Sequence, residues 1–179
     1  TSRIIEYCSY HEIDLPEITI LEYSQVQSEL ATESLKDYPV NIVWGDILGM
    51  KSLKDGSNLP LNHYDLILIK SGTHEIPLEF QESMYESILK ALKPGGKFVN
   101  MGFLFDFPEE RDEFLKLTRV KDNLAKMKEA VENRYMITRG EFYSSLENVG
   151  FENIQCGKHI EYQIDSRVVI INAVGVLAD

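Results

Sequence analysis

Short apolar runs alternate with segments of helical pattern along the first part of the chain. The runs at residues 18–21, 40–44, 64–69 and 97–101 are nearly continuous in apolar side chains. Such runs are typical of strands that are buried on both faces of a parallel sheet. Because helical patterns separate them, the alternation predicts an α/β fold.

The clearest single unit in this pattern runs from residue 64 to residue 101. A strand at 64–69 is followed by a helix that opens at Pro77 and stops before the Pro-Gly-Gly sequence at 94–96, and the strand at 97–101 comes next. Strand, crossover helix and strand form one parallel βαβ unit. A further helix is predicted over 25–36, with Ser24 as its N-cap.

The pattern changes towards the end of the chain. Thr138 and Glu141 have the spacing of a capping box, and the helix that they open ends at Gly150. Two long strands, at 151–164 and 167–175, are joined by a tight turn. The predicted sheet is therefore mostly parallel and finishes in an antiparallel hairpin.

The segment at 108–135 is strongly charged, helical in pattern and without a strand. Because it follows the carboxyl end of a strand, it fits a helical, lid-like insertion over the ligand crevice, and it equally fits a plain surface helix. The length of 179 residues is that of one domain, so we expect a single domain over 1–179.

Charge and composition exclude several kinds of partner. The chain has 18 basic and 29 acidic residues, a net charge of −11, which repels a phosphate backbone. No apolar run approaches about 18 residues, and the first residues do not have the layout of a signal peptide. We therefore expect no nucleic acid partner, no membrane segment and a cytoplasmic location.

Cysteine and histidine residues show no metal-ligand spacing. Cys8 and Cys156 are far apart, and His11, His63 and His159 share no ligand pattern with one another. We expect no metal site and no disulfide framework.

Five segments, taken in order, resemble class I S-adenosylmethionine-dependent methyltransferases over nearly the whole chain. The five are 18–24, 43–47, 64–69, 92–98 and 147–154. The resemblance implies the Rossmann-like fold of that family, with helices on both faces of the sheet. It also implies S-adenosylmethionine as cofactor and methyl transfer to an acceptor. The acidic surface favours a small molecule as that acceptor.

One part of the family pattern is absent. The family's first strand and glycine-rich loop would come just before Thr1. The resemblance therefore implies an N-terminally incomplete fold whose sheet edges a partner segment or a second copy would cover. The alternative to an enzyme is a non-catalytic, methyltransferase-like scaffold or partner subunit that has lost the cofactor loop.

The resemblance also implies cofactor-binding residues at two strand ends. Glu22, followed by Tyr23, would hold the ribose hydroxyls, as a carboxylate does in dinucleotide-binding folds. Its alternative role is to interact with the dipole of the next helix. Asp46 would accept a hydrogen bond from the adenine amine, with the backbone of Ile47 nearby. Its alternative role is that of a turn aspartate whose side chain bonds its own backbone.

The remaining candidates lie in the segment at 70–75, which we name the elbow. In open α/β sheets, ligands bind beyond the carboxyl ends of the strands, and Lys70 and Ser71 come directly off a central strand. By resemblance, their backbone faces the cofactor. His74 is the candidate general base for a hydroxyl or amine acceptor, or it positions the loop. Glu75 fits a charge complement of the following helix better than a base.

Overall fold

The computed structural model describes residues 1–70, 72–118, 137–156, 161–165 and 168–178. Its contacts divide the chain into two compact units, Thr1–Leu59 and Pro60–Asp179. The prediction of a single domain over 1–179 stays a prediction.

The first unit contains a three-stranded sheet and two helices. Its elements are α1 Ser2–Tyr10, β1 Ile18–Glu22, α2 Gln25–Ser34, β2 Val40–Asp46 and β3 Lys51–Ser52. Strand β1 pairs in parallel with β2, with Ile18 opposite Val40 and Glu22 opposite Trp44. Because these strands run in the same direction, their carboxyl ends lie at the same edge of the sheet. The strands predicted at 18–21 and 40–44 are confirmed, and β3 adds a short antiparallel pair that the pattern did not predict.

Helix α2 begins where its capping residue predicts. The Ser24 hydroxyl accepts a hydrogen bond from the backbone N–H of Gln27 at 3.4 Å. The helix ends at Ser34, two residues before the predicted end. In α1, Ile5 and Cys8 are buried.

The second unit contains the predicted βαβ unit and the terminal strands. Its elements are β4 Tyr64–Lys70, a 3₁₀ turn at Thr73–Glu75, α3 Leu78–Ala91, β5 Leu92–Leu104, α4 Pro108–Thr118, α5 Arg139–Val149, β6 Gln155–Cys156, β7 Glu161–Asp165 and β8 Val168–Ala178. Strands β4 and β5 are parallel, whereas β8 pairs antiparallel with β5, β6 and β7. The βαβ unit is confirmed, and the terminal strands pair antiparallel. The strand predicted at 151–164 is found only as β6 and β7 among the described residues, because residues 151–154 lie in no strand, and β8 ends at Ala178, three residues beyond the predicted end.

The strand pairings form two sheets among the described residues. One has the order β1-β2-β3, and the other has the order β4-β5-β8-β6 with β7 on β8. Strands β1 and β4 each lie at the end of their own sheet among the described residues. A single, mostly parallel sheet with helices on both faces stays a prediction.

Buried aromatic rings hold α3 and α5 on β5. The Tyr85 ring lies 6.1 Å from that of Phe98 and 5.7 Å, edge to face, from that of Phe142. The Phe98 ring also lies 5.6 Å from that of Phe151. All four side chains are buried, and burying one aromatic side chain stabilises a fold by about 1.5–3 kcal/mol.

Only the first part of the predicted lid-like insertion lies within the described residues. It forms α4, whose N-terminus is closed by Glu110: this carboxylate accepts hydrogen bonds from the backbone N–H groups of Asp106 and Phe107 at 2.8 and 3.4 Å. Residues 119–135 lie outside the described residues, so the lid stays a prediction. None of the helices described is both long enough and apolar enough to cross a membrane.

Helix α5 confirms the predicted capping box. The backbone N–H of Glu141 donates to the Thr138 hydroxyl at 3.2 Å, and the Glu141 carboxylate accepts from the backbone N–H of Thr138 at 2.7 Å. The helix ends at Gly150, whose φ of 110° is one that side chains rarely adopt.

We expect Thr138→Ala to lower the free energy of unfolding by about 1 kcal/mol, because it removes the acceptor for the first turn of α5. Urea unfolding followed by circular dichroism measures this change. Thr138→Ser keeps the hydroxyl and is the matched control. Equal stability of the Ala and Ser variants would show that the cap does not stabilise this helix.

Candidate functional site

Two carboxylates lie at the carboxyl edge of the first sheet, and we name them the acid edge: Glu22 ends β1 and Asp46 ends β2. Both residues are half-buried. The indole N–H of Trp44 donates to the backbone oxygen of Tyr23 at 2.9 Å, which joins the ends of the two strands. The parallel pairing therefore brings together two of the acids that the sequence predicts.

Glu22 takes part in the start of α2. Its Oε1 accepts a hydrogen bond from the backbone N–H of Ser24 at 2.8 Å. This contact supports the alternative role at a helix start. It does not exhaust the carboxylate, because two ionised oxygens offer about four acceptor positions. Tyr23, the next residue, is 71% exposed.

Asp46 forms a turn, the role that the sequence offered as the alternative to an adenine contact. Its Oδ1 accepts from the backbone N–H of Leu48 at 2.9 Å, a local side-chain bond that is typical of turn aspartates. Ile47 is half-buried beside it. The second carboxylate oxygen is chemically competent to accept from an amine, so the two roles are compatible.

Gly45 allows the end of β2 to approach its neighbours closely. A Cβ at this position would collide with the Leu21 side chain and with the backbone oxygen of Lys51. Any side chain here would displace the strand end that carries Asp46.

The elbow in the second unit buries two polar side chains. Thr73 and His74 are buried, whereas Lys70 is exposed at the end of β4 and Ser71 lies outside the described residues. His74 Nε2 lies 3.5 Å from Oε1 of Glu75. A carboxylate beside one ring nitrogen can orient an imidazole, the arrangement found around many catalytic histidines.

Side chains of α3 hold the elbow in place by hydrogen bonds. The side-chain amide of Gln81 donates to the backbone oxygens of Ile76 and Thr73 at 3.0 and 3.4 Å. The Tyr85 hydroxyl in turn donates to Gln81 Oε1 at 3.5 Å. Burial raises the pKa of Tyr85 far above its ordinary value, so this phenol stays neutral and serves as a donor. No sequence pattern pointed to Gln81, since a single polar residue in a helix is ordinarily exposed.

The described part of the chain contains no group of three or more His, Cys, Asp or Glu side chains that could hold a metal ion. The acid edge and the elbow lie in different units.

No family model matches this sequence, and no curated protein matches it. Solved structures do match. PigF, solved with S-adenosylhomocysteine, is 18% identical, with 99% of this chain and 47% of PigF covered at a TM-score of 0.68. Human N-acetylserotonin methyltransferase, solved with S-adenosylmethionine, is 17% identical, with 90% of this chain and 40% of that protein covered at a TM-score of 0.58.

A third matching structure is titled a pericyclic reaction enzyme. It is 8% identical, with 98% of this chain and 39% of that enzyme covered at a TM-score of 0.62. The chain therefore has the fold of the class I S-adenosylmethionine-dependent methyltransferases. It spans about half the length, or less, of these three solved proteins.

We expect Gly45→Ala to lower the free energy of unfolding by about 1–3 kcal/mol, the usual cost of overpacking. Gly49→Ala is the matched control, because a Cβ at Gly49 would meet only the flexible side chain of Lys51. The control should change stability by less than about 0.5 kcal/mol. Chemical denaturation measures both variants, and equal effects would contradict the close approach.

Proposed function

We propose that this chain is a methyltransferase that uses S-adenosylmethionine and methylates a small-molecule acceptor. The observation that supports the proposal is the fold of the chain. Over 99% of its length, this fold matches that of a protein solved with S-adenosylhomocysteine, the product of such a reaction. A fold hosts many functions, so residues of the chain must supply the chemistry. The acid edge and the elbow supply candidates for the two parts of the task.

The acid edge would hold the adenosine part of the cofactor. Glu22 follows a parallel strand, where a carboxylate can accept from both ribose hydroxyls. Asp46 would accept from the adenine amine, and its bond to Leu48 fixes the direction of the carboxylate. The exposed Tyr23 and the half-buried Ile47 supply apolar surface beside the two acids.

The elbow would serve the acceptor. S-adenosylmethionine supplies, when bound, a methyl group on a positively charged sulfur. The main task of the protein is then to hold the acceptor oxygen or nitrogen in line with that methyl group. His74 would accept the proton that the acceptor loses, and Glu75 would stabilise the resulting imidazolium.

A non-catalytic scaffold is the second candidate. Both acids already accept local backbone hydrogen bonds, from Ser24 and from Leu48. Strands β1 and β4 also end their sheets, and a strand edge is a natural docking place for a partner. Cofactor binding separates the two candidates, because a scaffold needs none.

We expect S-adenosylhomocysteine to bind the chain and Glu22→Ala to weaken that binding by ~1–3 kcal/mol, the cost of leaving two hydroxyls without a charged acceptor. Asp46→Ala should cost less, because adenine stacking persists. Titration calorimetry on the 179-residue chain, and on any longer natural form of it, measures the affinities.

Glu29→Ala is the matched control for this series, since it removes the same charge from an exposed position of α2. Its affinity should equal that of the wild type. No binding by the wild type at millimolar cofactor would refute the proposal and favour the scaffold.

For catalysis, we expect His74→Ala to lower turnover by ~100- to 10,000-fold, the usual worth of a general base, and to leave cofactor affinity nearly unchanged. Turnover of the wild type should fall as the pH is lowered, because a protonated imidazole accepts no further proton. Glu75→Gln should keep most of the binding and lose part of the rate. A loss below about tenfold with an unchanged pH profile would make His74 a positioning residue.

A further inference from the structure

Gln81 is a polar side chain that α3 carries into the interior of the second unit, where it is only 2% exposed. Its amide donates to the backbone oxygen of Ile76 at 3.0 Å and to that of Thr73 at 3.4 Å. Burying an amide is unfavourable unless hydrogen bonds satisfy it, so these contacts hold the side chain in one place.

The two backbone oxygens lie on either side of His74 and Glu75. The oxygen of Thr73 belongs to the peptide group that leads into His74, and the oxygen of Ile76 follows Glu75 by one residue. One helical side chain therefore holds the backbone before and after this pair. The distance of 3.5 Å between His74 Nε2 and Glu75 Oε1 depends on the backbone between those two points.

The backbone of the elbow forms a short turn that is weak by itself. The N–H of Glu75 donates to the oxygen of Gly72 at 3.0 Å, and the N–H of Ile76 donates to that of Thr73 at 3.2 Å. Turns of this 3₁₀ type have poorer hydrogen-bond geometry than an α-helix and occur in short pieces. Pro77 comes next and has no N–H to donate. Bonds from α3 therefore matter for the order of the elbow.

Tyr85 contacts the other end of the Gln81 amide. It lies one turn further along α3, and its hydroxyl donates to Gln81 Oε1 at 3.5 Å. Burial raises the pKa of Tyr85 far above its ordinary value, so the hydroxyl keeps its proton. The ring of Tyr85 is packed between those of Phe98 and Phe142. The aromatic core thus reaches the elbow through one hydroxyl and one amide.

We propose that Gln81 is a positioning residue for His74 and that Tyr85 acts through Gln81. The aromatic core sets the direction of the Gln81 amide, and the amide sets the backbone that carries the imidazole. The task of His74 as proton acceptor rests on the proposed function, whereas the ordering of the elbow by Gln81 does not. Such placement matters for a rate, because a shift of about 1 Å in a reacting group can cost ~100-fold.

Hydrogen exchange of single amides in Gln81→Met tests whether the amide orders the elbow. Methionine is similar in length but cannot donate, so both backbone oxygens lose this partner. If opening of the elbow breaks the Gln81 bonds, the amides of Glu75 and Ile76 should exchange about tenfold faster. The amide of Glu141, at the start of α5, should change by less than about twofold, because its local opening leaves the elbow intact.

Two results of this measurement would overturn the proposal. Unchanged exchange at Glu75 and Ile76 would show that the elbow keeps its order without Gln81. An equal acceleration at Glu141 would show only a loss of global stability. Gln27→Met is the matched control, because it makes the same chemical change at an exposed position of α2 and should leave the elbow unaffected.

Tyr85→Phe tests the second part of the proposal and keeps the aromatic ring. We expect it to speed exchange at Glu75 and Ile76 by about threefold, since Gln81 loses one hydrogen bond. In a chain that already carries Gln81→Met it should add nothing, because Tyr85 would then have no amide to hold. The same threefold effect in both chains, or no effect in either, would refute the action of Tyr85 through Gln81.

The imidazole resonances of His74 report the placement of the base itself. Their loss in His74→Ala identifies them in the NMR spectrum. We expect them to shift in Gln81→Met and to a smaller extent in Tyr85→Phe, and to keep their positions in Gln27→Met. A Gln81 that only stabilises the unit would leave these resonances of the folded protein unchanged, and that result would overturn the positioning role.

Calorimetry with S-adenosylhomocysteine on the wild-type chain tests the proposed function by itself. Failure to bind the cofactor would refute methyl transfer, while hydrogen exchange still decides whether Gln81 orders the elbow. Normal cofactor binding together with unchanged His74 resonances in Gln81→Met would refute the positioning role and leave the proposed function standing.

Discussion

The crossover from β4 through α3 to the parallel strand β5 is the constraint on which the second unit depends. A parallel connection requires the helix to lie over the sheet, and the contacts of Tyr85 with Phe98 and Phe142 hold α3 there. The elbow comes between β4 and α3, so its position follows from the same packing. Gln81 completes the link, because one helical side chain bonds two backbone oxygens of the segment that carries His74.

Four buried polar side chains come from the elbow, from α3 and from β5. Thr73, His74, Gln81 and Asn100 are all buried, while the surrounding core is apolar and largely aromatic. Buried polar groups lower stability unless hydrogen bonds satisfy them, so a cluster of four at one strand end is costly to maintain. Sequences tend to break local rules of this kind at functional sites. The location of the cluster, at the carboxyl end of parallel strands, agrees with where ligands bind in α/β folds.

The sequence predicted the elements much better than the environment of single side chains. The first residues of the strands at 18, 40 and 64 and the capping box at Thr138 are confirmed, because they depend on local periodicity and local hydrogen bonds. The state of Asn100 was beyond such reasoning, since an asparagine within a short apolar strand shows neither its burial nor its partners. Asp46 is similar: its sequence fitted both a cofactor contact and a turn, and only its bond to Leu48 established the turn.

The matching structures limit what the fold alone can decide. One is titled a methyltransferase and another a pericyclic reaction enzyme, although both share this architecture at TM-scores of 0.58 and 0.62. Common strands therefore place the ligand, and the side chains at their ends determine the reaction. Under the proposed function, those side chains have two tasks. The acid edge would hold the nucleoside part of the cofactor, and the elbow, where an imidazole lies 3.5 Å from a carboxylate, would remove a proton from the acceptor. On that proposal the identity of the reaction would depend on the elbow, and the identity of the cofactor would depend on the acid edge.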